Sequence, residues 1–406
     1  MRKLGKITIA LALTSILAAA TGTAASAANG TGLRSGATAL IPRIQPPPPP
    51  PPTSGPKSRI EPNRAAFDAC EKGQGRLWTP YYADRFHSCF LIHTGFDVVI
   101  KKNGVNVVVG NWTLQWIASG AADNSDQVMT FKVKSTLWKV TGVPPGPTWQ
   151  WSVGLACLSY FSNSTCSNNH AGGYTMTVAT WSVPHTLTFV FDTAKSAGGG
   201  GGDHSAADGL NYHAMSQWQM FPGNISSKSW SNATYFRCDK ATYINSGSGG
   251  CIFYQVMATW NISLSSKAGP VAKHIKLAQT NPGTKTYPPA PGGKKVVIPG
   301  FKSTGVPLTR LFPSYDMTLY RKNRATAIKA CIAKWGPNYA NGGKECDEYP
   351  MAATFQGAST ADGNPLWYSV QVLSGTANGS AGSFWLAFLN KNRILSGDPF
   401  WVAVVS

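Results

Sequence analysis

The chain has 406 residues, 43% of them hydrophobic and 13% charged, with a formal net charge of +19. That composition excludes a mainly disordered chain and provides for about two cored domains. No stretch beyond the N-terminus approaches 18 apolar residues, which argues against a membrane span, and the excess of cations suits a polyanion (nucleic acid, teichoic acid or an anionic membrane surface) or solubility alone.

Residues 1–28 read as a signal peptide. Arg2, Lys3 and Lys6 form the basic start, Ile7–Ala20 the apolar run, and Ala25-Ser26-Ala27 the small-residue cleavage site. Losing those three cations takes the mature chain from +19 to +16. The expected location is secreted, and eight cysteines in an exported chain read as four disulfides. Nearness in sequence suggests Cys70–Cys89, Cys157–Cys166, Cys238–Cys251 and Cys331–Cys346, among the 105 pairings that eight cysteines allow. No CxxC pair occurs and the histidines lack finger spacing, which disfavours zinc.

Residues 29–60 read as a Pro-rich disordered linker, with Pro46–Pro52 either a stiff polyproline II spacer or low-complexity filler. Residues 61–266 read as a β-rich, sandwich-like domain of unknown role. Asn103-Gly104 between Asp97–Ile100 and Val105–Val109 is a strong hairpin signal. Trp112–Ile117, Gln127–Val133, Tyr174–Val183, His185–Phe191, Ile252–Val256 and Thr259–Leu264 continue the strand pattern, and Gly198–Gly202 reads as a loop. His87, His93 and Asp84 surround Cys89 without any nucleophile at a useful spacing, so they read as structural, as does Asp203-His204. Trp149 and Trp151 suit either a glycan surface or a sandwich core.

Residues 267–300 hold six lysines and no acid among Pro and Gly, and read as a basic linker, solvated or touching phosphates. In residues 301–406 the pattern turns α+β. A helix is expected over Leu319–Trp335, capped by Asp316 or Thr318, with Ile328, Cys331, Ile332 and Trp335 on its buried face and Gly336-Pro337 ending it. Strands follow near Asp347–Phe355 and over Trp367–Leu373, then a helix over Ala381–Asn392 and a closing strand Phe400–Val405.

This last segment contains no histidine, and its two cysteines are expected to be oxidised. A metal here must therefore take oxygen ligands, which points to magnesium, manganese or calcium. Three of its six acids crowd around Cys346 in Glu345-Cys346-Asp347-Glu348. Adjacent strand residues face opposite ways, so one of Asp347 and Glu348 can meet a metal or water while the other holds an Arg or Lys. A solvated acidic turn pinned by the disulfide is the plain alternative.

Cys346-Asp347-Glu348-Tyr349-Pro350-Met351-Ala352 resembles the signature of secreted bacterial NucA/NucB-type deoxyribonucleases. Asn378-Gly379-Ser380-Ala381-Gly382-Ser383 is similar to that family's Asn-x-x-Ala-Gly-Ser element, and Asn392-Arg393-Ile394-Leu395 to its closing motif. Pro307–Arg310 and Asn323-Arg324-Ala325 resemble larger secreted relatives. The resemblance implies a ββα-metal-type nuclease domain holding one divalent cation, Mg or Mn. It makes Asp347 the candidate base, Asn378 a metal ligand, and Glu348 a metal ligand or electrostatic partner. Gln356 replaces an acid of some relatives, and no acid lies between Ser383 and Asp398, which puts Gln356 and Ser383 in supporting positions.

Arg324, Lys329, Lys391 and Arg393 are candidate phosphate contacts, binding DNA through its backbone without reading bases, or else ordinary surface cations. Trp367 and Tyr368 suit base stacking or a strand core. The expected function is a secreted, metal-dependent, non-specific endodeoxyribonuclease. The alternative is a wall- or surface-binding protein, holding a cell-wall polymer through its β domain, whose nuclease-like domain no longer catalyses.

Overall fold

Asn103 and Gly104 take φ of 52° and 82°, the positive pair that a two-residue hairpin turn requires. The computed structural model describes Ala37–Arg43, Cys70 and residues 79–406 apart from 160–164, 194–204, 222–224, 246–248 and 364. The expected leader, proline run, Gly198–Gly202 loop and Asp203-His204 lie outside the described residues. The described residues from Ala37 to Ser406 form one compact unit.

Among the described residues, twelve strands build its first part: β1 (Ala37–Arg43), β2 (Tyr81–Tyr82), β3 (His87–Lys102), β4 (Val105–Ala122), β5 (Val128–Gly142), β6 (Gln150–Ser159), β7 (Ser167–Asn168), β8 (Tyr174–Thr177), β9 (His185–Asp192), β10 (Asn211–Phe221), β11 (Ile225–Asp239) and β12 (Gly250–Ile252). One sheet runs β1-β3-β4-β5-β9-β7 with β2 beside β3, and the other β12-β11-β10-β6-β8, all antiparallel. Alternate residues of the first sheet, Phe90, Ile92, Trp112, Leu114, Trp116 and Phe131 among them, share one core with Trp151, Val153, Met215 and Phe236 of the second. That is the two-period burial of two sheets packed face to face.

Five further strands are β13 (Thr259–Ser263), β14 (Leu308–Thr309), β15 (Lys344–Tyr349), β16 (Ser369–Ser374) and β17 (Pro399–Val405), and three helices are α1 (Gly269–Thr280), α2 (Met317–Trp335) and α3 (Gly375–Lys391). β17 pairs in parallel with β13 and antiparallel with β14, while β15 and β16 form a separate antiparallel pair. The architecture is thus mixed α and β with strands predominant. Among the described residues no helix is long and apolar enough to cross a membrane.

Several expectations change. Ala37–Arg43, inside the expected Pro-rich linker, pairs with β3. Val178–Trp181 is a helical turn capped by Thr177 rather than more strand, and residues 253–256 leave the β12 strand as a turn. The 267–300 segment is no free tether. Val271, Ala272, Ile275 and Ala278 of α1 give it an apolar stripe that joins the core formed by Trp260, Ile262, Leu308, Phe388, Phe400 and Val402. Lys273 and Lys276 remain exposed on its other face. β13, expected to end the β domain, also belongs to this second core. On α2 Asp316 Oδ1 accepts from the Leu319 N–H at 2.8 Å, as the capping pattern required. Its buried face, however, is Asn323, Ala327, Ala330 and Cys331, and Ile332 is exposed. α3 begins six residues earlier than expected, which puts Asn378 inside the helix.

All four expected disulfides are formed, and no described cysteine is free. Such a set fits an oxidising, extracellular setting. A buried ion network joins the two parts. Arg85 Nη2 and both Arg237 Nη atoms donate to the Asp398 carboxylate, and Arg393 makes a two-pronged bond to Asp239 at 2.7 and 2.8 Å. Arg393, expected to meet phosphate, is therefore fully buried and committed to a carboxylate. Trp151 is core, and so is Tyr368, while Trp367 is partly buried and its Nε1–H donates to Pro288 O.

Candidate functional site

β15 and β16 pair so that Asp347 lies opposite Gln371 and Tyr349 opposite Ser369. Asp347 and Ser369 thus share a face as diagonal neighbours, a separation that one imidazole can bridge. His274 of α1 does so, with Nδ1 at 2.6 Å from Asp347 Oδ2 and Nε2 at 2.7 Å from Ser369 Oγ. An ionised Asp347 can only accept, so Nδ1 carries a proton. All three side chains are buried, and of the three Asp347 alone reaches the adjoining cleft. The histidine thus fixes the carboxylate from behind.

Glu348 points the other way along the strand, toward α2. Arg324 Nη1 donates both to its Oε2 and to Cys346 O, the latter at 2.8 Å. Burial pushes the Glu348 carboxyl up from 4.5 to about 7. The Arg324 charge works against that rise and the neighbouring Asp347 charge adds to it. The alternation of strand residues therefore gives each acid its own cationic or protonated partner, and both still reach one cleft of about 290 Å³. Its other walls include Asn378, Tyr320, Trp260, Met351 and Trp385.

Asn378 enters from α3. Its Nδ2 donates to Glu345 Oε2 at 2.7 Å, and since a carboxylate cannot donate, the amide oxygen is the end left for a ligand. The donor set around the cleft is then the Asn378 amide oxygen with the Asp347 and Glu348 carboxylates, all hard oxygen atoms. That chemistry fits one magnesium or manganese ion and not a soft metal. Elsewhere Cys157, Cys166 and His213 lie close together, but the two sulfurs are joined in a disulfide and offer no thiolate.

Of the residues singled out from sequence, Asp347, Glu348, Asn378 and Arg324 meet here. Lys329 and Lys391 are exposed and stand outside the cleft walls. Gln356 bonds Thr309, accepting from its N–H at 2.8 Å and donating to its Oγ1 at 3.2 Å, and Ser383 Oγ donates to Gly379 O within α3. Neither touches the acids. His274 went unrecognised because it lies in the segment read as linker. The spacing of Val271, Ala272, Ile275 and Ala278 behind Pro270 carries the helical signal that would have placed it. Arg310 and Asn323, from the upstream motifs, are scaffold: Arg310 bonds Ile394 O, and Asn323 Nδ2 donates to Ala352 O and Thr354 O at 3.1 Å each.

No protein-family model, curated protein or solved structure matches this chain.

Proposed function

We propose that the chain is a divalent-metal-dependent endonuclease that hydrolyses DNA phosphodiester bonds outside the cell. The observation that carries this reading is the convergence of Asp347, Glu348, Arg324 and Asn378 on one cleft from two helices and a strand. In this reading Asp347, oriented by His274, takes the proton of the attacking water, and its buried hydrogen bond keeps the carboxylate from rotating away. Arg324 lies where a phosphodiester oxygen would enter, with Glu348 holding its guanidinium in place. Asn378 and Glu348 would hold the cation, which when bound polarises the phosphoryl group and stabilises the leaving oxygen. Contacts of this kind read no base, so cleavage is expected to be indifferent to sequence and to weaken with salt.

The degenerate-domain alternative rests on Gln356, the absent helix acid and the β module of unknown role. Gln356 bonds Thr309 away from the cleft, so that substitution takes nothing from the donor set. The test is plasmid cleavage by the mature chain with magnesium or manganese, beside Asp347→Ala and Asn378→Ala. Cleavage lost in both folded variants supports the assignment. A folded, metal-replete wild type that leaves DNA intact refutes it. Calorimetric titration with manganese, weakened in Asn378→Ala, separates loss of the ion from loss of the base.

A further inference from the structure

The long hairpin ends in a surface that its own fold does not cover. Val98 and Val99 of β3 and Gly110 of β4 are still buried, but beyond them Val105, Val107 and Val108 are open to solvent, Val105 at 65%. Apolar side chains at a hairpin tip lose free energy by standing in water, and several together mark a contact surface rather than chance.

Charge says what the contact is. Residues 98–110 contain Lys101 and Lys102 and no acid, the nearest being Asp97. Lys101 and Lys102 are exposed directly beside the turn, opposite Asn106 and Val105. A nucleic-acid backbone would use the lysines but leave the valines wet. A second copy of the chain would set lysine against lysine. An anionic lipid surface satisfies both, because apolar side chains enter the headgroup boundary while lysines stay level with the phosphates.

We propose that the β3–β4 hairpin end docks on anionic lipid. The placement keeps the cleft clear. β3 begins at His87, two residues from Arg85 in the ion network with Asp398, and its sixteen residues put Lys102 roughly 50 Å further along the strand. The inference is independent of the nuclease reading, since it concerns a different face of the chain.

The experiment is cosedimentation of the mature chain with vesicles of phosphatidylcholine alone and of phosphatidylcholine with phosphatidylglycerol at three to one. Variants are Lys101→Ser with Lys102→Ser, and Val105→Ser with Val107→Ser, each checked for an unchanged unfolding midpoint. Binding to the anionic vesicles alone is expected. The double lysine variant should weaken it about 25-fold, taking about five-fold for each cation near an anionic surface. The valine variant should weaken it as well, whereas a purely electrostatic attraction would leave it equal to wild type and overturn the proposal. So would absence of binding, a dimer by light scattering that the tip variants dissolve, or tip-dependent binding to DNA without binding to vesicles.

Discussion

Replacing Glu348 by Gln should stabilise the protein at alkaline pH while ending its activity. The carboxyl is moved from 4.5 to about 7, chiefly by burial. Between those values the folded chain holds a proton that the unfolded chain has released, so stability falls as pH rises through that window. Above it, the ionised carboxylate is about 3 kcal/mol less favourable in the folded chain than in the unfolded one, at about 1.4 kcal/mol for each pH unit. Gln keeps the shape and an acceptor for Arg324 but has no charge to bury. The guanidinium unfolding midpoints of wild type and Glu348→Gln, measured with disulfides intact, should then nearly coincide at pH 4 and separate by up to ~3 kcal/mol at pH 8, with the variant the more stable. Other titrating groups cancel in the difference. Equal midpoints at both pH values, or a variant less stable at pH 8, would refute the claim that this acid is held against its own solvation. If Glu348 must be ionised to hold the cation, wild-type cleavage should also rise through about pH 7, where half the carboxyls have lost their proton.

Other consequences follow from the same contacts. His274→Ala strands the buried Asp347 and Ser369 side chains and should cost about 1–3 kcal/mol with a large loss of cleavage, while His274→Asn, which retains an N–H donor, should recover part of both; wild-type cleavage and melting in His274→Ala would dismiss its positioning role. A fragment of residues 301–406 lacks β13 and α1, hence Trp260, Ile262, Val271 and Ile275 of its core, and should show no cooperative melt by circular dichroism. Asp398→Ala leaves the Arg85 and Arg237 guanidinium groups buried without their main acceptor and should destabilise by roughly 3–5 kcal/mol in denaturant titration. Raising salt should depress DNA cleavage steeply at fixed metal, and a flat salt response would argue against backbone contacts as the main source of affinity.

Features governed by short stretches of chain were legible in the sequence. Asn103-Gly104 names its own turn, Asp316 its own helix cap, and each disulfide closes a local loop. The Asp347-Glu348 pair stands out because acids are scarce in a basic segment, whereas Asn378 is picked out by the motif resemblance alone, and alternation along a strand sends the two acids to different partners. The beginning of α3 was illegible because Gly375-Thr376-Ala377-Asn378-Gly379 has poor helix propensity; with Ala377 and Ala381 buried, packing overrides it.

Tertiary structure alone decided which charges are used up and which are offered. Arg324 and Arg393 look alike as basic residues near a motif, yet one reaches the cleft and the other is buried against Asp239, 154 residues away. His274 is one residue in a lysine-rich stretch until α1 packs on β15 and β16 and brings it within 2.6 Å of Asp347. The reason is the range of the forces. Turns, caps and strand alternation depend on neighbours within a few residues, whereas the fate of a charge depends on what long-range packing buries beside it, because a buried ion must find its partner or give up its charge.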